Sequence, residues 1–359
     1  MMSGKSKDTL YSKMLMRPFI YASQSVGNSS LISVILLAVQ IFMLLLTKSY
    51  NALFVIGCSL SGSLCAEAAD RLYHKSYHFS DVTCAVQGII IGMLLPSTFP
   101  PVSVFFITFF TMILLKYMFG GFANAWGNTA VITIAVCWII GMNAFPGLIV
   151  TKNLLQMRNP SYTLIQNGVF PVFKFDPPVT EALNNSLFRI LKVSIPDGYI
   201  SMLWDTHSII PAFRFNFITL ISSIILFSSG MLSMLIPACF ITTYGLLIRF
   251  AGPFFCGGIP GQGDLLLAFL TSGTIFCSIF VIQWYGTTPL TYAGKTIYGI
   301  ICGILAFLIA GCGTSSVGMV FTILCANIIS PIIQIVEDRN NKEALYSMLD
   351  ENLKDEGIR

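Results

Sequence analysis

Residues 285–333 read YGTTPLTYAGKTIYGIICGILAFLIAGCGTSSVGMVFTILCANIISPII. Two runs apolar enough to cross a bilayer are interrupted here by a polar Gly/Thr/Ser turn and by an Asn-Ile-Ile-Ser-Pro sequence that reads as a second break. Lipid offers nothing to unpaired backbone, so irregular polar chain at membrane depth persists only where protein or a water-filled cavity covers it. The feature restricts the chain to membrane helices whose breaks face inward. A related pattern occurs earlier, where LLPSTFPPV is followed by FGGFANAWGNTAVITIAV within residues 94–136. One half of the chain therefore reads as a repeat of the other.

Composition supports a membrane setting. Of 359 residues 55% are hydrophobic and only 10% charged, against about 25% charged in soluble domains. The chain reads as an all-α polytopic membrane protein. Its net charge of +4 is spread thinly, with no basic block suited to nucleic acid. The ten cysteines lie in or beside apolar segments, which implies buried thiols rather than a disulfide framework or a metal cluster. His74, His78 and His207 are too scattered for a metal site. Lys5, Lys7, Lys13 and Arg17 precede the first apolar run without a small-residue cleavage site, so the start does not read as a cleavable signal. Residues 10–16 could lie as a short interfacial helix before Pro18.

About ten spans can be drawn, at 31–47, 51–69, 82–96, 102–119 and 122–143, then 217–229, 231–250, 265–285, 294–311 and 313–336. Several fall short of the roughly 20 residues that cross hydrocarbon unaided, so broken or tilted helices are expected. Basic residues in short loops set the orientation. The four N-terminal cations, Arg71, Lys75, Lys116, Lys295, Arg339 and Lys342 fall on one side, against Lys48 and Arg249 on the other. Both termini are thus expected in the cytoplasm. The expected organisation is a cytoplasmic segment 1–30, a five-helix repeat 31–143, an outer loop 144–216, a second repeat 217–336 and a cytoplasmic tail 337–359. Two odd-numbered repeats must face opposite ways, which gives two inverted five-helix repeats with a site at their interface.

The candidate site residues follow from the breaks. Gly120, Gly121, Asn124 and Asn128 form one element; Gly313, Thr314, Ser315, Ser316, Gly318 and Asn327 form its counterpart. Small residues admit close backbones, and Asn or Ser can satisfy carbonyls freed at a break. The pair reads equally as tight helix packing or as the wall of a cavity for a planar cofactor or an ion. Asp81 and Asp264 each open the third span of their half, as helix N-caps or as ion-pathway carboxylates. Lys116 and Lys295 read as snorkelling anchors at span ends. Glu67 reads as a solvated acid at a helix end.

Taken together, these segments resemble the D subunit of the Rnf-type ion-translocating oxidoreductases and the related B subunit of the sodium-translocating NADH:quinone oxidoreductases. The resemblance is carried by YGTTPLTYAGKTIYGIICGILAF and VGMVFTILCANIISPIIQ in the closing helices. Asp81 with 82–96, FGGFANAWGN, and the entry RPFIYASQSVGNSSLISVILL add to it. It implies a membrane subunit that carries electrons through flavin and couples them to Na+ or H+ movement. Partner membrane and peripheral subunits would supply NAD(H) or ferredoxin chemistry, since no nucleotide-binding fingerprint is present. It also implies FMN, or riboflavin, with FMN held as a phosphoester on a threonine of the loop between helices five and six. The nearest match is Thr180-Glu181-Ala182-Leu183, with Leu183 in the acceptor slot. Three alternatives follow: Thr180 serves by displacement, Thr206 serves instead, or no covalent flavin exists. Both threonine hydroxyls are expected to be exposed on the outer face. A cofactor-free transporter or channel for a small solute or ion is the other reading of the same architecture.

Overall fold

The structure is a computed structural model that describes residues 25–75, 82–121, 127–146, 172–191, 194–256, 264–312 and 315–355. Asp81, Asn124, Gly313, Thr314 and the expected interfacial helix at 10–16 lie outside these residues. The described chain is helical, and no strand occurs in it. Four helices are long and apolar enough to cross a membrane: α1 (Val26–Leu46), α2 (Tyr50–His74), Tyr292–Gly311 and the membrane part of the last helix, Gly318–Glu343. Five shorter apolar helices accompany them, Thr83–Leu94, Pro101–Tyr117, Thr129–Ile140, Asn216–Ser228 and Leu235–Ala251. The protein is a multi-pass membrane protein.

Local chemistry starts and stops these helices. Ser25 caps α1 by accepting from the Asn28 N–H at 3.3 Å. The helix closes with Lys48 in the left-handed conformation at φ 56°, its N–H and that of Ser49 returning to Leu45 and Leu44, each at 3.0 Å. α3 (Thr83–Leu94) is buried along all but one of its residues. α4 (Pro101–Met112) opens on a proline in its first turn, where no N–H is missed. It ends in a π turn, Ile113–Tyr117. α5 is Thr129–Ile140, capped by Asn128, whose Oδ1 accepts from the Ala130 N–H at 3.0 Å. Two short helices follow, α6 (Asp176–Leu183) and α7 (Tyr199–Trp204).

In the second half α8 is Asn216–Ser228 and α9 is Leu235–Leu246 with a π turn at Leu247–Ala251. The next segment, expected as one span over 265–285, is broken. α10 (Leu265–Thr271) stops at Ser272, Gly273 turns at φ 69°, and α11 (Thr274–Phe276) runs into the π turn Cys277–Val281. α12 (Tyr292–Ala306) also ends in a π turn, Phe307–Gly311. α13 runs from Gly318 to Asp355. It corrects one expectation. Asn-Ile-Ile-Ser-Pro does not break the chain, because Pro331 is accommodated inside a continuous helix. The tail beyond 336 extends that helix.

Small residues set the closest packing. A Cβ on Gly88 would fall 3.0 Å from Leu60 Cα, and one on Gly92 2.6 Å from Ile56 Cα. α3 therefore lies directly against α2, where Ser59 Oγ donates to the Gly88 carbonyl at 2.7 Å. Gly299 and Gly303 of α12 meet α9 in the same way, at the Ile236 and Phe240 carbonyls. In lipid, where apolar burial does not favour protein over acyl chains, such close backbone approach is a main source of helix association.

Candidate functional site at the break of the first half

α5 is 12 residues long, about 18 Å at 1.5 Å per residue, well short of the roughly 30 Å of a hydrocarbon core. Its C-terminal end sits beside Phe99, whose ring a Cβ on Gly141 would strike at 2.6 Å. Its N-terminus therefore opens inside the bundle. Asn128 is fully buried there, and its Nδ2 donates to the Val281 carbonyl at 3.1 Å. That carbonyl belongs to the π turn after α11, so a break of the first half bonds to a break of the second. Gly127, one residue earlier, approaches Asn327 of α13; its absent Cβ would lie 3.9 Å from Asn327 Nδ2. Further along, Trp138 and Phe321 hold α5 against α13, ring centroids 5.2 Å apart. Of the two elements singled out in the sequence, Asn128 bonds to Val281, and the neighbouring Gly127 lies beside Asn327.

The polarity of this junction is unusual for its depth. Asn327 is 1% exposed, and among the described residues neither of its side-chain atoms has a hydrogen-bond partner. Pro331, four residues on, has no N–H to give the Asn327 carbonyl. Gln87 of α3 donates to Thr129 Oγ1, at the first residue of α5, while its own Oε1 has no partner among the described residues. Thr111 and Thr133 share a hydrogen bond of 2.9 Å, and the neighbouring Thr108 hydroxyl is buried with no partner among the described residues. A buried polar group left unpaired costs on the order of 1–3 kcal/mol. Several around one helix N-terminus, which itself carries about half a positive charge, make a polar site inside an apolar bundle. Neutral amide and hydroxyl oxygens of this kind can hold water, or a cation where they outweigh the repulsion of that helix end. None of these groups titrates near neutral pH.

Other expected residues fall elsewhere. Gly120 and Gly121 adopt φ 92° and 90° in a turn after the π turn of α4, the first exposed and the second facing open space. They serve the turn and do not line a buried wall. Asp264 caps α10, accepting from the Leu267 N–H at 3.0 Å and from the Tyr199 hydroxyl; the capping alternative is the one found. Lys295 is partly exposed beside the Tyr292 ring, as an anchor would be. Lys116 is not an anchor. It is 1% exposed, donates to Thr83 Oγ1 at 3.0 Å and lies 5.2 Å from the Tyr117 ring centroid. The π turn, by adding a residue to the helical turn, rotates it inward. Glu67 is likewise buried, paired with Arg71 one turn later on α2. The i,i+4 spacing of Glu67 and Arg71, and a lone Gln87 in an apolar run, were the available sequence signals for these groups. Among the described residues no three His, Cys, Asp or Glu side chains gather as a metal site.

The loop between the halves carries the two candidate flavin acceptors, and neither is exposed. Thr180 is 2% exposed and donates to Asp176 Oδ1 at 2.9 Å. Thr206, also 2% exposed, donates to the Phe213 carbonyl at 2.8 Å. Asp176 also accepts from the Gly198 N–H at 3.0 Å and from the Ser201 N–H and hydroxyl. Burial alone would raise its pKa, but the bonds from Ser201, Gly198 and Thr180 together hold it below the usual carboxylate value. Leu183 has no hydroxyl, and with Thr180, Phe188, Ile200 and Leu266 it lines an apolar cavity of about 190 Å³. These residues do not fit a flavin phosphoester. The expected exposure fails because both threonines are consumed in holding the loop's own fold.

Over residues 13–342 the sequence matches the NQR2, RnfD, RnfE family. The chain belongs to that family. Its relatives include the D subunit of the ion-translocating oxidoreductase complex of Buchnera aphidicola subsp. Baizongia pistaciae, 26% identical over 71% of this chain and 76% of that protein. The D subunit of the Na(+)-translocating ferredoxin:NAD(+) oxidoreductase complex of Acetobacterium woodii is 20% identical over 83% of each chain. The proton-translocating counterpart of Clostridium ljungdahlii is 22% identical over 74% of this chain and 75% of its own. The family match takes in Glu67, Gln87, Asn128 and Asn327, so the polar junction of this NQR2, RnfD, RnfE family member lies wholly within the matched region.

Proposed function

We propose that this chain is the D-type membrane subunit of an ion-translocating electron-transfer complex, and that Na+ or H+ passes the junction of Gln87, Asn128 and Asn327. The observation that carries the reading is the unsatisfied, buried Asn327 amide facing the N-terminus of α5. Polar groups at such depth are costly and mark ion or substrate paths in membrane proteins. The relatives' names supply the coupling to ferredoxin and NAD chemistry, which this chain leaves to partner subunits. Flavin enters the proposal only as non-covalent FMN or riboflavin, or as a group borne by a partner.

The proposed topology has ten spans in two inverted repeats, both termini in the cytoplasm of a bacterial inner membrane, and the 144–216 loop outside. Several features support it. Ser49–Arg214, Ser97–Ile209 and Tyr199–Asp264 pair on one face of the bundle, whereas Ser233–Gln283 and Thr291–Glu337 pair on the other. The fourth helix of each half ends in a π turn, and α1 and α8, the first of each half, are joined by Gln40 Nε2 donating to Thr219 Oγ1 at 3.0 Å.

Asn327→Leu tests the site. Leucine keeps the branched shape at Cγ and removes an unsatisfied amide but is larger, so the gain of about 1–3 kcal/mol from the lost amide is offset by a similar packing cost and thermal stability of the complex should change little. Ion transport per electron, measured in proteoliposomes, should fall about ten-fold, the equivalent of one lost interaction of about 1.4 kcal/mol. A stable variant that pumps normally would remove Asn327 from the path.

A further inference from the structure

Where α1 turns into α2 a polar cavity of about 360 Å³ opens at the membrane face, lined by Lys48, Ser49, Asn51, Ser97, Ser208 and Arg214. Its inner wall is held by paired groups. Arg214 is 8% exposed, with Nε and Nη2 bound to Asp205 at 2.9 and 2.6 Å and Nη1 bound to Ser49 at 2.6 Å. Asp205 neutralises that guanidinium, which leaves Lys48 as the uncompensated charge among the lining residues. Lys48 holds φ 56°, at the helix-ending position where glycine is favoured. A non-glycine residue in that conformation costs on the order of 1 kcal/mol. A cation anywhere in the last turn of α1 would satisfy its dipole. The strained placement instead brings the ammonium to the cavity rim.

The helix turns that flank the cavity residues in the chain expose apolar side chains. Leu45, Leu46 and Phe54, from the last turn of α1 and the first turns of α2, are 50%, 60% and 66% exposed, as side chains facing acyl chains should be. A ligand that suits both parts carries one negative charge at its polar end and apolar chains beneath it. We propose that this cavity is a binding site for an anionic phospholipid. The single net positive charge of the cavity matches the single net negative charge of a phosphatidylglycerol-type headgroup. The hydroxyls of Ser49, Ser97 and Ser208 supply donors to the phosphodiester oxygens, and Leu46 and Phe54 carry the chains. The apolar continuation favours the lipid over a soluble anion or a docking protein. The site depends neither on the proposed ion path nor on which face of the membrane is outside.

The test uses the intact complex, washed in detergent and re-equilibrated in nanodiscs of phosphatidylcholine with a minor fraction of phosphatidylglycerol. Lipid retained through a second wash is quantified by mass spectrometry. One surface cation contributes about 1 kcal/mol to anionic-lipid binding, which is roughly five-fold. Lys48→Gln should therefore lower retained phosphatidylglycerol about five-fold and Lys48→Glu about thirty-fold, with phosphatidylcholine unchanged and Lys295→Glu, at the other face, behaving as wild type. Lys48 is exposed, so both variants should fold, as their thermal unfolding will register. Equal retention by wild type and Lys48→Glu overturns the proposal, as does an equal loss in Lys295→Glu. Displacement of the lipid by millimolar glycerol phosphate would show a soluble-anion site instead. Protection of Lys48 from amine labelling by a partner protein, in discs free of phosphatidylglycerol, would show a protein interface.

Discussion

Asp176 and the Glu67–Arg71 pair do structural work that composition alone hides. Asp176 ties the start of α6 to that of α7 through four donors. Its depressed folded-state pKa fixes the sign of its pH dependence. The carboxylate contributes stability in full above the unfolded value near 4, and that contribution is lost as pH falls through the lower folded value. Asp176→Asn should therefore destabilise the loop by about 2–3 kcal/mol at neutral pH, with the difference from wild type shrinking in acid. Protease susceptibility of the 172–216 region against pH checks both statements. At the other face, Arg71→Met leaves Glu67 buried without its cation, a loss of about 3–5 kcal/mol. The double variant Glu67→Gln, Arg71→Met should recover most of it, measured as thermal unfolding of the complex.

Breaks rather than continuous helices distinguish the elements of this bundle. Gly273 separates α10 from α11 at φ 69°, and a Cβ there would fall 2.0 Å from the Phe213 ring. Ala at 273 meets both a steric and a conformational obstacle. Gly273→Ala should lower the thermal midpoint strongly, and adding Phe213→Ala should not restore it, because the deleted ring is itself a buried core group worth about 3–5 kcal/mol. The clash is relieved, but the left-handed backbone still costs about 1 kcal/mol or more. Full rescue would mean that both costs are negligible. π turns end α4 at Ile113–Tyr117 and α12 at Phe307–Gly311, as they do α9 and α11, and the first of them carries the buried Lys116.

Across the whole molecule the two halves are joined, among the described residues, by few polar bonds, chiefly Gln40–Thr219 and Asn128–Val281. Single cysteines at exposed Lys75 and Lys48, at the two ends of α2, test the proposed orientation of the first half. A membrane-impermeant thiol reagent should label position 48 from outside intact cells and reach position 75 only after permeabilisation. The reverse result would invert the proposed topology while leaving the contacts between the halves untouched.

The apolar runs by themselves determined that this is a helical membrane protein, because bilayer hydrocarbon selects helix from hydrophobicity and length alone. Of the Gly and Asn signals among the described residues, only Asn128 and Asn327 fall at the junction, whereas Gly120 and Gly121 serve an exposed turn. What each polar side chain meets was decided only by tertiary structure. Glu67 and Lys116 looked like solvated span ends and are buried. Thr180 and Thr206 looked free and are spent on Asp176 and Phe213. Pro331 looked like a break and sits in a continuous helix. The physical reason is the same in each case: transfer from water to lipid acts on a segment's summed composition, whereas the fate of one hydroxyl, carboxylate or amide depends on the partner another helix brings within about 3 Å.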